Sequence, residues 1–211
     1  MRVRTLSNEA VREIALREIS QRDFSDRLVV AHHEAGHAVA AWCHGVKFKR
    51  ATIKPNRPDQ TLGHVLGCRP KWFNPEIDSS PRVCGLAQGR IIELFAGQIA
   101  EAKFRGRKPR WGLQSDNQQA VDLAMYLCGS QETMQAYLNF CFLASRDLVN
   151  GFWSQIQAVA WGLMELWTID DEEMIEIVSP GSGAVRESMK AGAAHKRAAV
   201  TVKKGSDGNL A

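Results

Sequence analysis

The segment His33-Glu34-Ala35-Gly36-His37 follows the apolar run 28–31 and leads directly into a second apolar run at 38–42. Because this stretch contains few helix breakers, it predicts one buried helix. Residues four apart share a helix face, so His33 and His37 can direct both imidazoles at one ion. Glu34 lies one position further round, where its carboxylate can take a proton from a water at that ion. The spacing indicates a zinc hydrolase, although a helix with two structural histidines would show the same motif.

The residues around the motif are small. Alanine or glycine occupies positions 35, 36, 38, 40 and 41. Glycine within a helix costs about 1 kcal/mol relative to alanine, so Gly36 indicates that a neighbouring segment needs the space. We therefore expect another part of the chain to pack closely against this helix.

A catalytic zinc site needs a third protein ligand beside a position left open for water. The metzincin pattern would place glycine at position 40 and histidine at position 43. The chain has Ala40 and Cys43 there, with His44 one step out of register, so that class is excluded. Cys43 is better explained as a small buried hydrophobe than as a ligand, because free cysteine is commonly buried.

The stretch from His33 to Trp42 resembles the metal-binding helix of the M41 peptidases, the protease domains of the membrane-bound AAA+ protease FtsH. In that family the third ligand is an aspartate, far downstream, that opens a helix after a glycine-rich turn. Alignment of residues 111–124 with that helix puts Asp116 at the ligand position. The resemblance therefore implies a zinc ion held by His33, His37 and Asp116.

The residues alone leave a second interpretation of Asp116 open. Ser115 or Asp116 followed three positions later by glutamine is a capping-box pattern, which needs no metal. Asp116 can also serve both purposes. If it is not a ligand, Glu93 and Glu101 are the acidic residues that remain as candidates.

The resemblance covers roughly residues 25–178. Residues 48–67 resemble the family's small sheet, residues 91–106 its second helix, and residues 168–178 its closing helix and cap. It implies a mainly α (α+β) fold, a helical zincin-type peptidase domain with a small β-sheet beside the metal-binding helix. We expect three parts along the chain: an N-terminal helix at 1–24, this domain at 25–180, and a basic, disordered tail at 181–211.

Apolar periodicity predicts helices beyond the motif. They span Asn8 to Gln21, Arg82 to Phe104, Asp116 to Cys128, Gln131 to Val149 and Phe152 to Trp167. The last two are rich in aromatic residues, which is typical of a core or an oligomer interface. A proline-containing loop from Arg69 to Pro81 is expected to flank a cleft.

The remaining histidines have simpler explanations than metal binding. His32 neighbours the motif but faces away from it. His44 is expected to end the helix, with Gly45 as its cap. His64 lies on a predicted strand, where it either lines the cleft or, more simply, is exposed on a sheet edge.

Several features of FtsH are missing from this sequence. It contains no Gly-x-x-x-x-Gly-Lys-Ser/Thr phosphate loop, no run of eighteen apolar residues that could span a bilayer, and no apolar signal-peptide core. We therefore expect a stand-alone, ATP-independent peptidase domain that cleaves flexible or unfolded polypeptides unless a separate ATPase partner delivers other substrates. The resemblance also suggests a homo-oligomeric ring, although the missing ATPase removes one source of assembly.

Composition agrees with a single enzyme domain. The chain has 211 residues and is 45% hydrophobic, enough for one compact core. Its five cysteines lack CxxC spacing and are odd in number, which favours reduced thiols in the cytoplasm. The net charge of +4 owes much to the tail, and no nucleic-acid motif accompanies it, so we expect no nucleic-acid partner.

Together these observations predict a zinc-dependent endopeptidase with Glu34 as its general base. Two alternatives remain open at this point. The chain could be a zinc-binding adaptor without activity, although the intact Glu34 argues against this. It could also be a metal-dependent amidase with a non-protein substrate, because the zinc chemistry would be shared.

Overall fold

The computed structural model describes residues 8–55, 63–109 and 115–178, with side chains from residue 23 onwards. Six helices and three short strands occupy these ranges. In chain order they are α1 (Asn8–Cys43), β1 (Phe48–Thr52), β2 (His64–Gly67), α2 (Pro81–Phe104), α3 (Ser115–Met125), α4 (Gln131–Gly151), α5 (Trp153–Leu166), β3 (Thr168–Ile169) and α6 (Asp171–Val178). The predicted mainly helical fold with a small sheet is confirmed.

Helix α1 contains the His33–His37 motif and continues from the helix predicted near the N-terminus. The two are one element from Asn8 to Cys43, so the expected boundary between residues 24 and 25 falls inside a helix. The helix ends at Cys43, and His44 follows it as the predicted terminal residue before the Gly45 cap. Gly45 has a φ of 64°, its N–H donates to the Trp42 carbonyl, and the Val46 N–H donates to the Ala41 carbonyl. This pair of bonds is a Schellman motif.

Helices α1 and α2 pack closely where their small residues meet. A Cβ built on Gly36 would lie 2.6 Å from the Ala96 carbonyl oxygen and 2.8 Å from the Ala100 Cβ. The prediction that Gly36 makes room for a neighbour is therefore confirmed, and the neighbour is α2. This contact brings the motif face of α1 against the middle of α2, where Ile91 and Phe95 are fully buried.

The three strands form an antiparallel sheet in the order β2-β1-β3. The pairing of β1 with β2 confirms the predicted pair of strands, with Ala51 opposite Val65. Strand β3 has only two residues, Thr168 and Ile169, and it pairs with the other edge of β1. Sequence periodicity missed it because two residues are too few to show alternation.

The remaining helices agree with the predicted ones to within three residues at each end. Ser130 caps α4, and the Glu173 N–H donates to the Asp170 side chain at the start of α6.

The aromatic residues of α4 and α5 divide between two environments. Phe142 packs edge-on against Phe95 in the core, whereas Phe140 and Trp161 are exposed.

The connection before α2 packs against the start of that helix. Phe73 is buried with Val83 and Ala87 in a small cluster there. Apolar burial of Phe73 holds the segment against α2. No residue of 69–81 is among those that line the cleft described below, and whether the loop flanks that cleft stays a prediction.

None of the helices in the described ranges is long and apolar enough to cross a membrane. The predicted tail at 181–211 lies outside the described residues, as do residues 56–62 between β1 and β2. All five cysteines are free.

Candidate metal centre

The structure brings together the three residues expected to bind metal. His33 and His37 extend from adjacent turns of α1, and Asp116 lies in the first turn of α3. The Nε2 atoms of the two histidines are 3.0 Å apart, and Asp116 Oδ2 lies 3.4 Å from the first and 3.5 Å from the second. One potential ligand atom from each residue lies within 4.8 Å of the other two. Three donors therefore converge on one point.

The second nitrogen of each imidazole is fixed by an acceptor on α2. His37 Nδ1 donates to the main-chain carbonyl of Glu93 at 2.8 Å, and His33 Nδ1 donates to Glu101 Oε2 at 3.2 Å. Because a carbonyl or a carboxylate accepts hydrogen bonds, each Nδ1 carries a hydrogen. In the neutral rings, Nε2 is then the atom with a free lone pair, and both lone pairs face the point shared with Asp116.

This donor set fits a zinc ion. Two lone pairs and a carboxylate oxygen at these distances repel one another unless a positive charge lies between them. Two imidazoles and one carboxylate are ligands that suit zinc. Histidine ligands of zinc also commonly donate their other N–H to a carboxylate or main-chain carbonyl, as His33 and His37 do here.

The charges at the site perturb the pKa values of all three candidate ligands. Burial lowers the pKa of His33, but hydrogen bonding to Asp116 and Glu101 outweighs this and raises the pKa to about 10. Burial also opposes protonation of His37, and its contact with Asp116 again raises the pKa. For Asp116, burial raises the pKa, while its bonds to the two histidines hold it well below the usual range. The perturbed pKa values of His33, His37 and Asp116 therefore arise mainly from burial and from the contacts of these residues with one another.

Glu34 lies beside these ligands, as predicted for a general base. It is only 5% exposed, and burial raises its pKa. The backbone just before β2 approaches this carboxylate closely, because a Cβ built on Gly63 would lie 2.8 Å from Glu34 Oε1. Glu34 and the two histidines line the same cleft.

A buried pair of amides holds Asp116 in place. Gln98 on α2 donates through Nε2 to Asn117 Oδ1 at 2.7 Å, and both side chains are at most 5% exposed. This bond ties the first turn of α3 to α2, next to the residue that faces the histidines. Sequence reasoning missed the pair; its one signal was a polar Asn117 at a position that packs inward on α3.

A cleft of about 870 Å³ opens onto the centre. Its walls come from α1, β2, α2 and α3, and they include His64, which was expected more simply to be exposed on an edge. The alternative that His64 lines the cleft is the one the structure bears out. Glu93 and Glu101 also line the cleft, and Glu101 accepts the His33 Nδ1 hydrogen there.

Two other residues near the motif, His32 and Cys43, have structural roles. His32 is 2% exposed, donates through Nδ1 to the Leu28 carbonyl, and stacks on Phe104 with ring centroids 3.9 Å apart. Its predicted orientation away from the centre is therefore confirmed. Cys43 packs against the hydrophobic core and is not part of the ligand cluster.

Comparison with known proteins adds no family to this description. No protein-family model and no curated protein matches the chain. The site itself consists of a three-donor centre, a buried carboxylate beside it, and an open cleft lined by an edge strand.

Proposed function

We propose that this protein is a zinc-dependent endopeptidase of the M41 type, acting on flexible or unfolded polypeptides. The observation that carries the proposal is the convergence of His33 Nε2, His37 Nε2 and Asp116 Oδ2 on one point, with Glu34 beside it in an open cleft. Two histidines and one carboxylate leave a fourth position free, as in catalytic zinc sites.

Each residue has a defined role in this proposal. His33, His37 and Asp116 would hold the ion, which when bound supplies a Lewis acid that lowers the pKa of water and polarises a carbonyl. Glu34 accepts the proton of the attacking water and passes it to the leaving amine. Glu101 and the Glu93 carbonyl fix the orientation of the two imidazoles through their Nδ1 atoms.

The shape of the cleft favours a peptide over a small amide. Strand β2 lies at the edge of the sheet and contributes His64 and Val65 to the cleft wall. An extended chain can add to such an edge through main-chain hydrogen bonds, beside the candidate ligands. An amidase for a small molecule would be expected to enclose its substrate in a closed pocket.

The placement of Glu34 favours an enzyme over a zinc-binding adaptor. Burying a carboxylate is costly, and this one is only 5% exposed. A protein that used zinc only to hold its fold would gain nothing from a buried carboxylate facing an open cleft. An enzyme needs a base at this place.

Cleavage of an unfolded protein tests the proposal. We expect the purified chain with zinc to cleave casein, a chelator to abolish the cleavage, and Glu34→Gln to bind zinc but to be inactive. Glu165→Gln makes the same chemical change at an exposed position on α5 and is the matched control. Cleavage that survives in Glu34→Gln would rule out the proposed base, and a zinc-loaded chain that cleaves nothing would favour the adaptor.

A further inference from the structure

Five carboxylates line the cleft, and two of them have no role in the proposed mechanism. Asp116 is a candidate ligand, Glu34 the proposed base, and Glu101 the partner of His33 Nδ1. The other two are Asp26 and Glu93. The guanidinium of Arg105, which also lines the cleft, lies 3.1 Å from Glu101.

Glu93 is the more unusual of these two residues. Its side chain is 7% exposed, and its Oε2 has no hydrogen-bond partner among the described residues. A buried carboxylate oxygen without a donor is costly, and native structures rarely retain one without a reason. The position is well fixed, because the main-chain carbonyl of Glu93 accepts the His37 Nδ1 hydrogen.

Arg90, one turn earlier on α2, donates through Nη2 to the Cys68 carbonyl at 2.5 Å, and neither its Nε nor Glu93 Oε2 has a hydrogen-bond partner among the described residues. Burial raises the pKa of Glu93, and the charges of His37 and Arg90 oppose that rise, so a further cation beside the carboxylate would favour its ionised form. The acceptor capacity of Glu93 is therefore left for something that enters the cleft.

We infer that Glu93 recognises a basic side chain of the substrate, a lysine or arginine close to the scissile bond. The inference rests on the proposed peptidase function and names a substrate class for it. Val30 and Leu94 line the same cleft and can pack against the aliphatic stem of such a side chain. The Glu93 carboxylate then accepts a hydrogen bond from its charged end, which removes the unpartnered oxygen.

Peptide binding to the inactive chain tests this without relying on cleavage. In the Glu34→Gln background with zinc, fluorescence anisotropy would compare labelled decapeptides that differ at one position, lysine against norleucine. Norleucine keeps the aliphatic stem and removes the charge. Placing lysine or norleucine at each peptide position in turn identifies the position whose side chain Glu93 binds.

We expect lysine to bind about tenfold tighter than norleucine at one position, as a buried charge-assisted hydrogen bond allows. Adding Glu93→Gln should remove that difference, and adding Glu165→Gln, an exposed charge change on α5, should leave it. Thermal melting checks that each variant is folded. A peptide with arginine at that position should bind as tightly as the lysine peptide. A peptide with glutamate there should bind more weakly than the norleucine peptide.

Two failures are distinguishable. If peptides bind but lysine has no advantage at any position, or if the advantage survives Glu93→Gln, the inference is overturned while the proposed function stands. If no peptide binds and the wild-type chain cleaves none, the proposed function fails, and the inference fails with it.

Discussion

Gly97 on α2 lies directly against the imidazole of His37. A Cβ built on Gly97 would come closer than 3.0 Å to Nε2, Cε1 and Cδ2 of that ring, a separation that real side chains do not show. The ring is held between this glycine and the Glu93 carbonyl that accepts its Nδ1 hydrogen. The position of one candidate ligand thus depends on the absence of a side chain on the neighbouring helix.

The first prediction is that Gly97→Ala weakens zinc binding by displacing His37. The added methyl group cannot fit unless the imidazole or the helix moves, and Nε2 then leaves the point it shares with His33 and Asp116. Competition with a zinc-binding dye should show a large loss of affinity. Gly85→Ala, also on α2, has open space around its built Cβ and should bind zinc as wild type does. Equal affinity of the two variants would show that His37 is not held as described.

The sequence predicted the part of this site that depends on local spacing. His33 and His37 share a helix face because they are four residues apart, and Glu34 follows from the same helix. Gly36 indicated close packing because glycine is costly inside a helix. Such inferences need no knowledge of the rest of the fold.

The parts that failed or stayed open depend on long-range packing. From spacing alone, Asp116 could be a helix cap. Its contacts with His33 and His37, which precede it by 83 and 79 positions, are visible only in three dimensions. Neither the two-residue β3 nor the Gln98–Asn117 bond leaves a periodic signal. Whether His64 lines the cleft likewise depends on how β2 pairs with β1 and on which side of β2 faces α1.

The second prediction separates the ligand and cap interpretations of Asp116. We expect Asp116→Ala to lose zinc affinity strongly and Asp116→Asn to lose less, because an amide oxygen keeps the shape but not the charge. Asp122→Asn changes an exposed carboxylate on the same helix and is the matched control. Isothermal titration with zinc measures all three. Wild-type affinity in Asp116→Ala would remove it as a ligand and return Glu101 and Glu93 as candidates.

The third prediction concerns Glu101, which accepts the His33 Nδ1 hydrogen and is not one of the three candidate ligands. Loss of such a partner typically costs about 10–100-fold in metal affinity. We expect this loss for Glu101→Ala, and a smaller one for Glu101→Gln, whose amide oxygen can still accept the Nδ1 hydrogen. Zinc titration against wild type measures both. If Glu101→Gln is as weak as Glu101→Ala, the charge of Glu101 matters more than its geometry.

The fourth prediction is a loss of stability in Gly36→Ala. The new Cβ would lie 2.6 Å from the Ala96 carbonyl oxygen, so α1 and α2 must separate. We expect the free energy of unfolding to fall by about 1–3 kcal/mol, despite the better helix propensity of alanine. Urea denaturation of the metal-free chain measures this. Gly85→Ala should instead be neutral or stabilising, and a stable Gly36→Ala would contradict the close packing of the two helices.

The last prediction uses Gly63 to move the proposed general base while leaving the candidate ligands in place. A Cβ built on Gly63 would lie 2.8 Å from Glu34 Oε1 and 2.8 Å from the Thr52 carbonyl oxygen. In Gly63→Ala the Glu34 carboxylate must shift, whereas His33, His37 and Asp116 keep their partners. Because small misplacements of a catalytic group can cost about 100-fold, we expect kcat to fall by about that factor with zinc affinity unchanged.

Gly67→Ala, at the far end of β2, is the control for this change. Its built Cβ would meet only the flexible end of Arg90, at 3.1 Å, away from the centre. Steady-state cleavage of an unfolded substrate and zinc titration would be measured on both variants. If Gly63→Ala loses zinc as well as activity, β2 supports the whole centre rather than Glu34 alone. If it keeps full kcat, the contact between β2 and Glu34 does not set the position of the base.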